Sequence, residues 1–179
     1  MSKKRVLFVV GGRSGEHEIS LISGKHILSA LDRSAYEPIV LVIQKDQFMT
    51  LVTTEDIEGL SNNPKEIKTP GGVPVQLKPY PHEGHVGAIV AEGQNIPFDI
   101  VFPVVHGPGG EDGTLQGMFE VSNIPVVGCD AKSSAICMDK VITKKLCERA
   151  NLPVVPFIEI SKGDDIPKIE WPSPWFVKP

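Results

Sequence analysis

Two glycine-rich segments place acidic and histidine side chains directly after apolar runs that are typical of buried strands. The first segment, at residues 11–20, reads GGRSGEHEIS and contains Glu16 and Glu18. The second, at residues 106–114, reads HGPGGEDGT and begins with His106. Open α/β sheets bind their ligands at the carboxyl ends of strands, so both segments are expected at one ligand-binding edge.

The first segment favours a positively charged ligand group. Its glycine spacing matches neither the dinucleotide fingerprint nor a Walker A loop. Glu16 and Glu18, in the first turn of a helix that Ser14 is expected to cap, would repel a phosphate and attract an ammonium group. Equally well supported is the alternative that both acids only complement the helix dipole. His17 is expected to be a solvated or capping residue rather than a catalytic one.

The second segment favours a ligand carboxylate. Gly109 and Gly110 permit close backbone approach, and His106 can offer a hydrogen-bond donor. Asp112 is expected to cap the helix that follows. A metal site at Glu111 and Asp112 is the less favoured alternative, because two adjacent residues on a turn rarely converge on one ion.

Two lysines lie at the ends of predicted elements. Lys140 stands at the junction of two helices and Lys178 follows an apolar run. Either could meet a phosphate, although each residue taken alone is better explained as a solvated surface lysine.

The elements that position these residues predict an α/β fold with a mostly parallel sheet flanked by helices. Continuous apolar runs at 6–10, 39–43 and 100–105 indicate strands that are covered on both faces. A helix follows the first run, and a second helix at 114–121 is expected to turn Leu115, Met118 and Phe119 inward.

The remaining segments are less regular. Residues 44–98 are rich in proline and glycine and predict an irregular insertion with edge hairpins. A short strand is expected at 124–127, helices at 131–138 and 141–150, and β-structure at 154–160 and near 175–178. The organisation indicates one domain over residues 1–128 and the beginning of a second over 129–179.

The composition and charge of the chain argue against a nucleic-acid-binding or membrane protein. The chain has 179 residues and a net charge of −4, from 18 Lys and Arg against 22 Asp and Glu, which gives no electrostatic footprint for nucleic acid or an anionic membrane. The apolar run after the basic N-terminus is too short for a signal peptide or a membrane span. Three cysteines without C-x-x-C spacing indicate neither a disulfide framework nor a zinc knuckle, and favour the cytoplasm.

Taken together, the motifs resemble the D-alanine–D-alanine ligases of the ATP-grasp superfamily. GGRSGEHEIS at 11–20, HGPGGEDGTLQGM at 106–118, CMDKVITKKL at 137–146 and FVKP at 176–179 occur in the order and spacing of that family. The similarity covers nearly the whole chain. It implies a Rossmann-like pre-ATP-grasp domain over 1–128 and an incomplete ATP-grasp central domain over 129–179.

The resemblance implies specific roles. Glu16 matches the glutamate that anchors the ammonium of the first D-alanine and so takes part in catalysis. Ile19 matches an apolar pocket residue, and His106 a histidine near the carboxyl end of that D-alanine. Lys140 and Lys178 match two lysines that contact ATP.

The implied reaction is ATP-dependent ligation of two D-alanine molecules through an acylphosphate, for peptidoglycan synthesis. The implied cofactors are ATP and Mg²⁺, with the metal ligands lying outside these residues, and the implied assembly is a homodimer. The chain is therefore expected to be a fragment that is inactive alone. Ligation of D-alanine to D-lactate or D-serine, or a non-catalytic ligand-binding module, remain the alternatives.

Overall fold

The computed structural model describes residues 2–178, in two compact units. The first unit extends to Lys140 and the second begins at Val141. The strands are β1 (Lys4–Gly11), β2 (Tyr36–Ile43), β3 (Met49–Val52), β4 (Val73–Lys78), β5 (Gly87–Ala91), β6 (Gln94–Phe98) and β7 (Ile100–Pro103). The helices are α1 (His17–Ala30), α2 (Thr54–Glu58), α3 (Thr114–Val121), α4 (Ala131–Met138) and α5 (Lys140–Arg149), with a 3₁₀ turn at Pro64–Glu66.

The sheet of the first unit is mixed. The strand order is β6-β5-β4-β3-β2-β1-β7. Two neighbouring pairs are parallel, β1–β2 and β1–β7. The other pairs, from β2–β3 to β5–β6, are antiparallel. The predicted α/β class is confirmed, but the parallel part is limited to three strands. The strand expected at 124–127 is reduced to one parallel bridge between Val101 and Val126.

Strand β1 lies between its two parallel neighbours, β2 and β7, and its side chains alternate between two apolar layers. Leu7 and Val9 belong to one layer, which contains Phe119 of α3. Phe8 and Val10 belong to the other, which contains Leu21 of α1. This burial on both faces explains the uninterrupted apolar run. The strand ends at Gly11, where the positive φ angles of Gly11 and Gly12 turn the chain.

Residues 44–98 were predicted to form an irregular insertion with edge hairpins; the edge hairpins are confirmed, but the connection is more regular than expected. This connection supplies four antiparallel strands, β3 to β6, which extend the sheet from β2. Pro74 and Pro97 lie within β4 and β6, and proline normally argues against a strand except at an edge such as β6. The prolines therefore concealed how regular the predicted hairpins are.

Helix α4 lies within the first unit. The backbone N–H of Ala131 donates to Glu120 Oε1 of α3 at 2.7 Å, which ties the two helices together. The first unit accordingly ends after α4, at Lys140, whereas the domain boundary expected from the sequence lies between residues 128 and 129.

The second unit contains most of α5 and an extended segment. Between Val141 and Lys178 the described chain has no strand, so the β-structure predicted at 154–160 and near 175–178 was wrong. Phe176 and Val177 are 88% and 96% exposed. A strand requires a hydrogen-bonded neighbour, and none of the described residues pairs with these segments.

Candidate functional site

The two glycine-rich loops meet at the carboxyl edge of β1 and β7. The hydroxyl of Ser14 donates a hydrogen bond of 2.8 Å to the carbonyl oxygen of His106. Deeper in the fold, Ser20 of α1 donates to the carbonyl oxygen of Val104 at 2.8 Å and accepts from Gly11 N at 2.7 Å. The expectation that both loops face the same edge is confirmed.

Ser14 organises the turn instead of capping the helix. Helix α1 begins at His17 with Glu16 as its N-cap residue, and no side chain caps it. The Ser14 hydroxyl accepts from Glu16 N at 3.1 Å while it donates to His106. The predicted cap was therefore wrong, because this hydroxyl is used between the loops.

The Glu16 side chain lies against the second loop. A Cβ atom placed on Gly107 would be 2.8 Å from Glu16 Oε2 and 3.2 Å from the Cβ of Ser14. Gly107 also has a φ of +70°, which disfavours other residues. The absence of a side chain at Gly107 thus leaves space for the Glu16 carboxylate at the junction of the loops.

The second acid of the first loop has a different partner. Glu18 Oε1 accepts from Lys45 Nζ at 2.5 Å, and this contact is the main cause that lowers the pKa of Glu18. Glu16 and Glu18, which looked equivalent in the sequence, therefore have different surroundings in the structure. Among residues 2–178, no hydrogen bond or ion pair engages the Glu16 carboxylate, which is left open to a ligand.

The acids of the second loop bind their own backbone. Glu111 Oε2 accepts from Gly107 N at 2.9 Å, a contact that is the first cause lowering the pKa of Glu111. Burial raises the pKa of Asp112, but hydrogen bonds from the backbone N–H groups of Gly109 and Thr114 outweigh it and the net shift is downward. Asp112 contacts Thr114 N at 3.0 Å, as its expected capping role requires, although Gly113 is the N-cap residue of α3.

His106 is held between α1 and its own loop. Its Nε2 lies 3.0 Å from Ser23 Oγ, and its Nδ1 lies 3.3 Å from Glu111 Oε1. The imidazole is half-buried, with 30% of the side chain exposed. It is therefore fixed in direction while part of the ring faces solvent.

Ile19 lies on the same face of α1 as Ser23, because residues four apart in a helix are neighbours. It is 42% exposed. An exposed isoleucine on the helix face that leads from Glu16 to His106 is in a suitable place for an apolar wall. Met118 was expected to face inward, but it is 40% exposed, whereas Leu115 and Phe119 are buried as predicted.

The two lysines lie in different units. Lys140 is exposed, its Nζ donates to the carbonyl oxygen of Cys137 at 3.1 Å, and its charge is a minor cause of the lowered pKa of Glu111. Lys178 is exposed in the second unit. The structure places Glu16 and His106 together, and it does not place Lys178 relative to them.

Sequence reasoning missed the residues that hold the loops. His17 was expected to be solvated or capping, but it is completely buried. Three polar residues that hold the loops were not predicted: Ser20, Ser23 and Gln116. For example, Gln116 Nε2 donates to the carbonyl oxygen of Gly110 at 2.7 Å. Polar residues on the apolar faces of α1 and α3 were the signal available in the sequence.

Comparison with known proteins decides the family. Residues 5–129 match the family model described as D-ala D-ala ligase N-terminus. The chain belongs to the D-alanine–D-alanine ligase family. D-alanine–D-alanine ligase A of Escherichia coli K12 is 40% identical over 187 residues, covering 100% of this chain and 51% of that protein. The ligase of Thermoanaerobacter sp. X514 is 39% identical over 173 residues, covering 95% and 46%.

Solved ligases of the family have the same fold. The D-alanine–D-alanine ligase of Coxiella burnetii matches with a TM-score of 0.76 and 33% identity, over 91% of this chain and 47% of that one. The VanG D-Ala:D-Ser ligase of Enterococcus faecalis matches with a TM-score of 0.69 and 34% identity, over 86% and 43%. The chain spans about half the length of the curated ligases that it matches.

Proposed function

We propose that the chain supplies the site for the first amino acid of an ATP-dependent D-alanine–D-alanine ligase. The observation that supports this proposal is the position of the Glu16 carboxylate, against Gly107 and without a partner among the described residues. A carboxylate at this place binds the ammonium group of the first D-alanine. His106 then lies toward the carboxyl end of the amino acid, and Ile19 lines the apolar side.

Positioning is the contribution of these residues to the reaction. In the proposed sequence, an oxygen of the bound D-alanine carboxylate attacks the γ-phosphorus of ATP, which forms an acylphosphate and releases ADP. The amine of a second D-alanine then attacks the acyl carbon, and phosphate leaves as the peptide bond forms. Glu16 acts by holding the first amino acid for the attack on ATP, since correct orientation lowers the barrier of such a step.

ATP binding is assigned to Lys140 and Lys178, whose ammonium groups can neutralise phosphate charge. Such chemistry uses magnesium, but the described residues do not form a group of ligands for it. Among residues 2–178, no three His, Cys, Asp or Glu side chains form a group that could hold a metal ion. Glu111 and Asp112 are engaged by the backbone N–H groups of Gly107 and Gly109. No step is therefore assigned to a metal held by these residues.

The cellular setting follows from the proposed reaction. Its product, D-alanyl-D-alanine, serves peptidoglycan synthesis, for which we propose a cytoplasmic homodimer as the working form. Within residues 2–178, every helix falls short of the length and apolar character that a bilayer span requires. All three cysteines are free thiols.

Product analysis tests the proposed function. The full-length gene product containing these residues is incubated with ATP, Mg²⁺ and D-alanine alone, then with added D-serine or D-lactate, and the products are identified by mass spectrometry. We expect D-alanyl-D-alanine to predominate. The second-substrate arms are included because one structural neighbour is a D-Ala:D-Ser ligase of comparable identity. Absence of every ligation product would support a non-catalytic module instead.

The 179-residue chain alone provides the complementary measurement. It is expected to release no phosphate from ATP in the presence of magnesium and D-alanine, because the proposed function places the magnesium ligands outside these residues. Sustained phosphate release by this chain, abolished by Glu16→Gln, would contradict the assignment of the metal chemistry to other residues.

A further inference from the structure

His17 occupies an unusual place for a histidine at the start of a helix. It is 0% exposed, although the preceding Glu16 is exposed. The proposed binding of the ammonium group does not use it. The ring lies between the Gly11–Gly12 turn and Thr69, which belongs to the connection of residues 44–98.

Both nitrogens of the His17 ring have partners that define one tautomer. Nδ1 lies 2.6 Å from the carbonyl oxygen of Gly12, which can only accept, so Nδ1 carries the hydrogen. Nε2 lies 2.9 Å from Thr69 Oγ1, and in the neutral ring it accepts the hydroxyl hydrogen of Thr69. Among residues 2–178, Thr69 is therefore the hydrogen-bond donor to the buried ring.

The turn beside His17 has little room to move. Gly12 N donates to the carbonyl oxygen of Ile43 at 2.7 Å. A Cβ atom on Gly11 would lie 2.5 Å from that same oxygen and 3.0 Å from Cε1 of His17. Since Glu16 immediately precedes His17, a displacement of the ring changes the backbone that carries the Glu16 carboxylate.

Thr69 is itself held in place by the connection. The carbonyl oxygen of the adjacent Pro70 accepts from Gln44 Nε2 at 2.8 Å. The same amide nitrogen donates to Thr50 Oγ1 at 2.8 Å. Gln44 follows β2 directly and Thr50 lies in β3, so the position of Thr69 is fixed by the sheet.

We propose that Thr69 and His17 are positioning residues, which transmit the geometry of the 44–98 connection to the Glu16 carboxylate. This inference rests on the proposed function of Glu16. The chain of contacts runs from Thr69 through the His17 ring to Gly12 and the first turn of α1. The connection is thus part of the support of the amino-acid site as well as an extension of the sheet.

The test uses Thr69→Val, which keeps the β-branched shape and removes the hydroxyl donor. It is made in the full-length gene product, with Thr69→Ser as the conservative variant that restores a donor. Lys45→Met is the matched control, because it removes another contact between the same connection and α1, the exposed Lys45–Glu18 pair. Thermal unfolding verifies that each variant is folded.

The first readout is the ¹⁵N NMR spectrum of histidine-labelled protein, with the His17 signals assigned through His17→Gln. We expect an unprotonated Nε2 and a protonated Nδ1 in the parent protein. Thr69→Val shifts the Nε2 signal, Thr69→Ser restores it, and Lys45→Met leaves it unchanged. An Nε2 signal that Thr69→Val does not move overturns the proposal.

The second readout is kinetic. Thr69→Val is expected to raise the KM for the first D-alanine about tenfold, the effect of one lost hydrogen bond to a buried acceptor. Because the first D-alanine is also oriented less well, kcat is expected to fall, while the KM for ATP changes by less than about twofold. Equal increases in both KM values would show a merely structural role and overturn the proposal. If the parent protein ligates no D-alanine, the proposed function fails, while the NMR readout still decides the coupling.

Discussion

The hydroxyl of Ser14 donates a 2.8 Å hydrogen bond to the carbonyl oxygen of His106, across 92 positions of the chain. Ser14 follows β1 and His106 follows β7, so this bond joins the ends of two parallel neighbours. It brings the loop that carries Glu16 to the loop in which Gly107 leaves space for that side chain. The candidate site is therefore formed by both loops together at the edge of the sheet, and neither loop forms it alone.

Ser14→Ala tests the contact between the loops. The substitution leaves the carbonyl of His106 and the N–H of Glu16 without this partner, so we expect the free energy of unfolding to fall by about 1 to 2 kcal/mol. Urea denaturation followed by circular dichroism measures the change. Ser29→Ala is the control, because the exposed Ser29 hydroxyl donates within α1, to the carbonyl oxygen of Lys25, and does not join two loops. Equal losses for both variants would contradict a special role of Ser14.

Gly107→Ala tests the space for the Glu16 carboxylate. The new Cβ atom would meet Glu16 Oε2 at 2.8 Å, and the φ of +70° adds a conformational cost of about 1 kcal/mol. Gly84→Ala carries the same cost at a φ of +83° with no atom within 4 Å, and so serves as control. We expect Gly107→Ala to destabilise the protein more and to weaken D-alanine binding, as calorimetry on the full-length protein would measure. A D-alanine affinity that Gly107→Ala leaves unchanged would show that Glu16 does not need this space.

A strand could be predicted from the sequence where its residues form a local apolar pattern. The runs at 6–10 and 39–43 are buried on both faces, so their continuous apolar character identified β1 and β2 correctly. The edge hairpins of residues 44–98 were expected, but their regularity was not, because their prolines and partly exposed faces weaken the local signal and only pairing across the sheet reveals the full series.

The site was predictable in its location and less so in its contacts. Glu16 and Glu18 have identical chemistry two positions apart, and nothing in their spacing shows that Lys45 engages one of them. His17 was misjudged because one of its hydrogen-bond partners, Thr69, lies 52 positions away. Such long-range hydrogen bonds are fixed by the assembled sheet and leave no periodic pattern in the sequence.

Glu111 gives a prediction about pH. The backbone N–H of Gly107 is the main cause that holds the pKa of Glu111 below its ordinary value of 4.5. A carboxyl group with a lowered pKa in the folded state adds stability above its unfolded pKa, and this stability is lost as pH falls through the folded pKa. Glu111→Gln should therefore be less stable than the parent chain at pH 7, with the difference shrinking below pH 4.5.

Urea denaturation at a series of pH values measures this difference. Comparison of the two proteins at each pH removes the contributions of other carboxyl groups whose pKa is lowered, such as Glu18 and Asp112. A difference in unfolding free energy that stays constant from pH 7 to about pH 3 would show that the Gly107 contact does not act on the Glu111 carboxylate in solution.

Glu16→Gln separates ligand binding from the helix-dipole explanation. The substitution keeps the shape and removes the negative charge, so the affinity of the full-length protein for D-alanine should fall about tenfold to a hundredfold, with little change for ATP. Isothermal titration calorimetry with each ligand measures both affinities. Glu18→Gln is the matched control: it removes a charge from the same helical turn, but from an acid already paired with Lys45.

The pair of variants distinguishes the two explanations, because both acids lie within reach of the helix dipole while only Glu16 faces Gly107. If Glu16 binds the ammonium group, Glu16→Gln weakens D-alanine binding and Glu18→Gln does not. If both acids only complement the dipole, both variants lower the unfolding free energy, with Glu18→Gln also losing its Lys45 contact, and neither changes the affinity for D-alanine. The second pattern would remove the charge argument on which the amino-acid site depends.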